Sequence, residues 1–160
     1  MKPRIDYSKA SPEAVKTLLG MERYLRNCGL EESLLLLVKM RSSQMNGCAY
    51  CLDMHSKDAR AAGETEQRLY VLNAWRESPF YTDRERAALA WTEALTRIAD
   101  THAPDDVFEE VREQFDEKEL MDLTLAIVAI NSWNRIAIGF RAVPGEYQPP
   151  HAVQHAGAAG

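Results

Sequence analysis

Three side chains within one short segment carry the chemistry this sequence offers. They are Cys48, Cys51 and His55, in the run Cys48-Ala49-Tyr50-Cys51-Leu52-Asp53-Met54-His55. On an α-helix, at ~100° per residue, Cys51 lies ~60° from Cys48 and His55 falls between them, so all three share one face. Residues at i and i+3 have Cβ atoms ~5–6 Å apart, near enough to close a disulfide with modest adjustment. His55 stands one turn beyond Cys51. Asn46-Gly47 breaks the preceding helix and puts Cys48 in the first turn of the next, where unpaired N–H groups and the helix dipole favour a thiolate. A thiol needs that help, because at its free pKa of ~8.5 only a few per cent is ionised at neutral pH. These parts suffice for a two-cysteine redox cycle. One thiolate attacks an acceptor such as a peroxide O–O bond and becomes a sulfenic acid, and its neighbour condenses with it to a disulfide. An external dithiol then reduces the disulfide.

Other uses of a Cys-x-x-Cys pair fit less well. Zinc needs four ligands, and beyond the pair only Cys28, His102 and the tail histidines His151 and His155 remain. Haem attachment requires His directly after the second cysteine, and that place is Leu52. A thioredoxin-like motif follows a strand in a βαβ unit, whereas the Leu-rich lead-in here reads as helix. Two inert core cysteines beside a structural histidine remain the plain alternative.

The elements that position the motif read as helices throughout, with no alternating strand. Ser11-Pro12 opens a first helix that runs to Cys28 and stops at Gly29, with Val15, Leu18, Leu19 and Tyr24 at helical spacing. A second runs from about Glu31 to Gln44, and the redox helix from about Cys48 to Gly63. Thr65–Trp75 reads as a fourth. Thr82-Asp83-Arg84-Glu85 is a capping box for a fifth, whose apolar face takes in Leu89, Ala90, Leu95 and Ile98. Pro104 opens a short sixth, and Asp116 caps a long apolar seventh to Phe140, expected to be central or to lie at a subunit interface. The expectation is an all-α single domain over residues 1–143, with an extended or flexible tail over 144–160.

Composition agrees. The 160 residues suit one domain, and 46% hydrophobic with 27% charged is globular. Nineteen Lys+Arg against 24 Asp+Glu give a net charge of −5, which argues against nucleic acid as the main partner. Leu34–Val38 and Leu125–Ile130 are the longest apolar runs, short of the ~20 residues of a membrane span. The polar start MKPRIDYSKA lacks the apolar core of a secretion signal. A cytoplasmic chain is expected, and three cysteines do not describe a disulfide scaffold.

The segment Arg41-Ser42-Ser43-Gln44-Met45-Asn46-Gly47-Cys48-Ala49-Tyr50-Cys51-Leu52-Asp53-Met54-His55 resembles the active-site segment of the AhpD-like alkylhydroperoxidase and carboxymuconolactone decarboxylase family. Lys57–Gly63, Arg84–Leu89 and Asn131-Ser132-Trp133-Asn134-Arg135 look similar too, so the likeness covers about Leu34 to Phe140. It implies an all-helical fold of about six to seven helices that associates as intertwined dimers, trimers or hexamers. It implies hydroperoxide reduction without a bound cofactor or metal, with electrons from dihydrolipoamide or a protein thiol. In the family the second cysteine, here Cys51, attacks the peroxide. The first, here Cys48, exchanges its proton and resolves the sulfenic acid, and His55 belongs to the proton relay. An acidic Cys48 is compatible with these roles, because it draws the proton from Cys51.

One departure stands out. The family places a relay Glu twelve residues before the first cysteine, and here that residue is Leu36. Glu32, one turn earlier, is ~5.4 Å further along the helix. Tyr50 stands where some relatives carry a second His. General acid–base assistance is worth ~10²–10⁴-fold, so slow turnover follows unless a carboxylate comes from another position or subunit. If the relay is truncated, Leu36→Glu speeds thiol-dependent peroxide consumption. Trp133, Asn134 and Arg135 are candidates to line the site, since a polar Asn-Arg pair is unusual in so apolar a helix, but are read chiefly as helix packing with an ion pair at a subunit contact. Arg41 and Gln44 steady the start of the redox helix, Cys28 is a small core residue, and His102 is solvated in a loop. A non-enzymatic thiol sensor or helical interaction protein is the alternative function. A decarboxylase is a further one, although that chemistry gives no reason for a redox pair.

Overall fold

The computed structural model describes residues 1–150. Ten helical segments run in order: α1 (Tyr7–Ala10), α2 (Pro12–Leu25), α3 (Glu32–Asn46), α4 (Ala49–Ala61), α5 (Glu66–Tyr70), a 3₁₀ segment (Leu72–Glu77), α6 (Asp83–Thr96), α7 (Ile98–Thr101), α8 (Asp105–Gln114) and α9 (Glu117–Phe140). No strand occurs among the described residues. The architecture is all-α, as the sequence pattern implies.

α3 is the centre, packed on α4, α6 and α9. Its run Leu34–Val38 is buried on every side, so the helix has no polar stripe, which marks a helix surrounded by others. Leu34, Leu35 and Val38 join α6 and α9 in one core cluster with Leu25, Trp91, Phe115, Leu123 and Ile127. Leu36, Leu37 and Met40 face a second, built with Ala59, Leu72, Trp75 and Leu89. Thr82 and Glu85 form the capping box at the head of α6, and Asp116 and Glu119 form another at the head of α9. Each satisfies two backbone donors that the first turn leaves open.

Several boundaries differ from the sequence pattern. The four-residue α1 is additional, started by Asp6, whose carboxylate accepts from the Lys9 amide. Thr65–Trp75 is two segments, because the backbone leaves helical geometry at Val71, and the second kinks again at Ala74. α6 stops at Thr96, and Ile98 begins the short α7 more than half exposed, off the apolar face assigned to it. His102, exposed as expected, ends α7 in a left-handed conformation.

α9 has the length and apolar composition of a membrane span. It nevertheless buries Asp122, Asn131 and Asn134 and bonds them to neighbouring helices. Tyr24 donates to Asp122 at 2.7 Å and Asn46 donates to Asn134 at 2.8 Å. Polar groups paired in this way belong to a core helix. After α9 the chain turns at Arg141 and runs back along α4. There the Gly145 amide donates to Asp53 Oδ2 at 2.9 Å, and Lys57 donates to the Gly145 and Tyr147 carbonyls. Pro149 is buried at its end. His151 and His155 lie outside the described residues.

Candidate functional site

The join between α3 and α4 places the sulfurs. Gly47 takes φ +67°, a left-handed conformation that costs a residue with a Cβ ~1–2 kcal/mol. The turn it makes returns the Gly47 amide to the Gln44 carbonyl at 3.3 Å and the Cys48 amide to the Ser43 carbonyl at 3.0 Å. These two bonds close α3 in a Schellman motif. The next residue to leave the turn is Cys48, at the N-cap of α4.

At the N-cap a side-chain acceptor takes up an open amide of the first turn. Here that acceptor is sulfur, with Cys48 Sγ receiving the Cys51 amide at 3.4 Å. The pair is reduced, and both residues are 1% exposed. The Cys51 thiol donates to Cys48, and this bond does most to pull the Cys48 pKa down to about 7. Burial opposes it, while the Cys51 amide, the Asn134 side chain and the Tyr50 amide assist. The same contact pushes Cys51 up, since removing its proton would leave two adjacent anions, and burial adds to the rise. Of the two, Cys48 is the more acidic thiol, ionising near pH 7 while Cys51 keeps its proton. The sequence placed Cys48 in the first turn; one position earlier, it meets the open amides directly.

Asn134 is the polar partner that sequence reading set aside as packing. It is 1% exposed, accepts from Asn46 Nδ2 at 2.8 Å and donates to Ser43 Oγ at 3.1 Å, and its side chain lowers the pKa of both thiols. The signal was there, since a carboxamide inside an otherwise apolar helix needs a reason. Arg135 pairs with no carboxylate among the described residues and instead donates to Asn131 O at 2.8 Å. Arg41 and Gln44 do not support the start of α4 through their side chains. They bond each other, and Arg41 also binds Glu93 of α6 at 2.7 Å. Cys28 packs at the rim of the first core cluster, half-buried.

One aromatic ring packs on the thiols and a second lies near them. Tyr50 packs against Cys48, Cys51, Ile130 and Ala137. Tyr7 approaches from α1, its pKa raised by burial and by the fields of Tyr50 and Cys51. α1 is held there by Arg4, whose amide donates to the Phe140 carbonyl and whose guanidinium donates to the Gly139 carbonyl, both at 2.9 Å. No spacing in the sequence linked residue 7 to residues 48 and 51.

His55 is buried on α4, but no hydrogen bond joins it to either sulfur among the described residues. Burial lowers its pKa, so the ring is neutral at pH 7. Nδ1 has no hydrogen-bond partner, and Asp58 Oδ2 is 3.5 Å from it. The ring also feels Lys39 and Glu22, which pair at 2.7 Å in a largely enclosed contact between α3 and α2. Leu36 contributes to the second core cluster and Glu32 is exposed. The carboxylates around His55 therefore come from other positions, Asp58 beside it and Glu22 beyond Lys39. A glutamate at 36 would enter an apolar cluster.

Taken together, the fold and site define an all-helical protein organised around a buried, reduced Cys-x-x-Cys pair at a helix N-terminus. The chain belongs to the carboxymuconolactone decarboxylase family, whose model matches residues 12–94. It is 47% identical over 138 residues to the uncharacterised protein YdfG of Bacillus subtilis (strain 168), spanning 86% of this chain and 94% of that one. Among solved structures it resembles a protein of unknown function from Agrobacterium tumefaciens, described as a candidate antioxidant defence protein AhpD. That likeness has a TM-score of 0.88 and 50% identity, and covers 91% of this chain and all of that one. The debrominase Bmp8 shares the fold at a TM-score of 0.78 and 21% identity, over 86% of this chain and 74% of that one.

Proposed function

We propose that the protein is a thiol-dependent peroxidase of the alkylhydroperoxidase type, reducing organic hydroperoxides or hydrogen peroxide through Cys48 and Cys51. The observation that carries this reading is the pairing of the two buried cysteines at the head of α4, where Cys48 Sγ caps the helix and accepts the Cys51 amide at 3.4 Å, an arrangement that pulls Cys48 down and pushes Cys51 up. Cys48 takes the proton from Cys51 as the Cys51 sulfur attacks one peroxide oxygen. The O–O bond breaks, an S–O bond forms, and the departing alkoxide leaves as an alcohol with that proton. The Cys48 thiolate then attacks the sulfenic sulfur and expels hydroxide, which takes a proton from solvent and leaves as water, and the pair is a disulfide. A dithiol such as dihydrolipoamide, or a protein thiol donor, supplies two electrons and two protons to restore it. His55, neutral and buried, serves as a proton way-station. The cycle suits a reducing compartment such as the cytoplasm, and the family resemblance favours a homo-oligomer.

The test is a titration of the fully reduced chain with hydrogen peroxide and with an alkyl hydroperoxide, followed by turnover with dihydrolipoamide. Two of the three thiols are consumed, turnover repeats, and either Cys48→Ser or Cys51→Ser abolishes it. The rate constant kcat/KM rises with pH through about 7, where Cys48 ionises. Below that value Cys48 is protonated and cannot accept from Cys51. A second reading, a thiol sensor that oxidises once, is favoured by the 1% exposure of both cysteines. Disulfide formation without repeated turnover selects it, and thiols inert to peroxide overturn both.

A further inference from the structure

We infer that Asp58, held by Tyr147 of the segment that follows α9, is the positioning residue of His55 and takes the part of the carboxylate that Leu36 cannot supply. The inference rests on the peroxidase reading for its kinetic consequence, but its geometry stands independently. Tyr147 Oη donates to Asp58 Oδ1 at 2.6 Å, while the other oxygen, Oδ2, faces His55 Nδ1 at 3.5 Å. Tyr147 is itself fixed along α4. Lys57 binds its carbonyl at 3.1 Å and also pairs with Asp53 at 3.0 Å, and Asp53 in turn accepts the Gly145 amide. The C-terminal segment thus presents one hydroxyl to one carboxylate, and that carboxylate to one imidazole.

The chemistry follows from which nitrogen carries the proton. A carboxylate at Nδ1 selects the tautomer with Nδ1–H and leaves Nε2 as the basic atom. When Nε2 accepts a proton in the cycle, the new imidazolium is formed in a buried place, where an unpaired charge is costly. Asp58 offsets that cost only if it is ionised. Burial works against its ionisation, but the contacts from His55 and Tyr147 prevail and hold its carboxyl below the usual value. The 3.5 Å gap leaves Nδ1 without a hydrogen bond at rest, and catalytic contacts of this kind commonly tighten once charge develops. The other charged groups facing the ring are Lys39 of α3, which disfavours the imidazolium, and Glu22 of α2, which favours it and is tied to Lys39. Asp58 is the carboxylate in direct reach.

The experiment pairs a spectroscopic with a kinetic readout on the full chain, using Asp58→Asn, Asp58→Glu and Tyr147→Phe. In ¹⁵N-histidine spectra, with His55 assigned by its loss in His55→Gln, the wild type shows the Nδ1–H tautomer. Asp58→Asn shifts the His55 titration to lower pH by about half a unit or more, and Asp58→Glu restores part of it. Tyr147→Phe, which lets the carboxylate turn to solvent, gives a smaller shift of the same sign. In peroxide turnover, kcat falls about tenfold in Asp58→Asn with little change in KM, a modest share of general acid–base assistance. An unchanged His55 tautomer and titration in a folded Asp58→Asn chain overturns the inference. Peroxide inertness of the wild type sinks the peroxidase reading but leaves the spectra to decide the role of Asp58. Should Asp58→Asn fail to fold, Tyr147→Phe carries the same test, and an unshifted titration there overturns it.

Discussion

At the scale of single residues, the site shows how polar groups inside a hydrophobic helix packing set the acidity of a thiol. Cys48 is buried, which alone would raise its pKa, yet it falls because donors surround it. Asn134 is the donor that a substitution removes most cleanly. Asn134→Ala removes a group that lowers both thiols and leaves the buried Ser43 Oγ without its partner, while Asn46 Nδ2 keeps Asn131 Oδ1 at 3.0 Å. An unsatisfied buried polar group costs ~1–3 kcal/mol, so a stability loss of that order is expected from urea unfolding. The Cys48 pKa is expected to rise, read as a shift of the thiolate titration and of the kcat/KM limb toward higher pH. The linkage to stability has a definite sign. A thiol held lower in the folded chain than in the unfolded one contributes stability above the unfolded pKa, and loses it as pH falls through about 7. The contact between the two cysteines was legible because their spacing is local, whereas His55, expected on the same stripe, bonds neither sulfur among the described residues. Asn134, Asp58 and Tyr7 were not legible, because their roles depend on where α9, the C-terminal segment and α1 lie against α4.

At the scale of elements, one turn governs the site. The Gly47 conformation ends α3, aligns two closing hydrogen bonds and delivers Cys48 to the N-cap of α4. A Cβ added at Gly47 meets nothing within 4 Å, so the cost of Gly47→Ala is conformational. The expected loss is ~1–2 kcal/mol, measured by urea unfolding with an unchanged m-value. A loss well beyond that range would mean that the turn reorganises. A reorganised turn would also raise the Cys48 pKa, because its sulfur would leave the open amides. Turns of this kind are well signalled, and so the Asn46-Gly47 break, the Thr82–Glu85 capping box and the Asp116 cap were readable from residue types. The kink at Ala74 and the short α1 and α7 were not. Nothing in Leu72–Glu77 lacks helix propensity, and its 3₁₀ geometry answers to tertiary packing, with Leu72 and Trp75 buried in the second core cluster. α1 is too short to form alone and depends on Asp6 and on the Arg4 contacts to α9.

At the scale of the molecule, α9 presents two apolar faces, and the fold occupies only one. Leu123, Ala126, Ile127 and Ile130 enter the interior. On the other side Met121 and Val128 are 61% and 48% exposed, with Leu125 half-buried between them. Those three positions are four and three residues apart and form a stripe. Ordinary surface helices turn charge toward water, and contiguous exposed apolar area of this kind marks contact surfaces. A chain that closes with a second copy through such a stripe buries it twice over, since a two-fold contact repeats each residue on both sides. Light scattering of the full chain is therefore expected to give a mass that is a multiple of 18.1 kDa. Val128→Glu sets like charges against each other across a two-fold contact and is expected to return the mass to that of one chain, with helicity unchanged. A single-chain mass for the wild type at working concentration would remove α9 as an interface. The thiol pair would then have to work within one subunit, behind the cover of Tyr50.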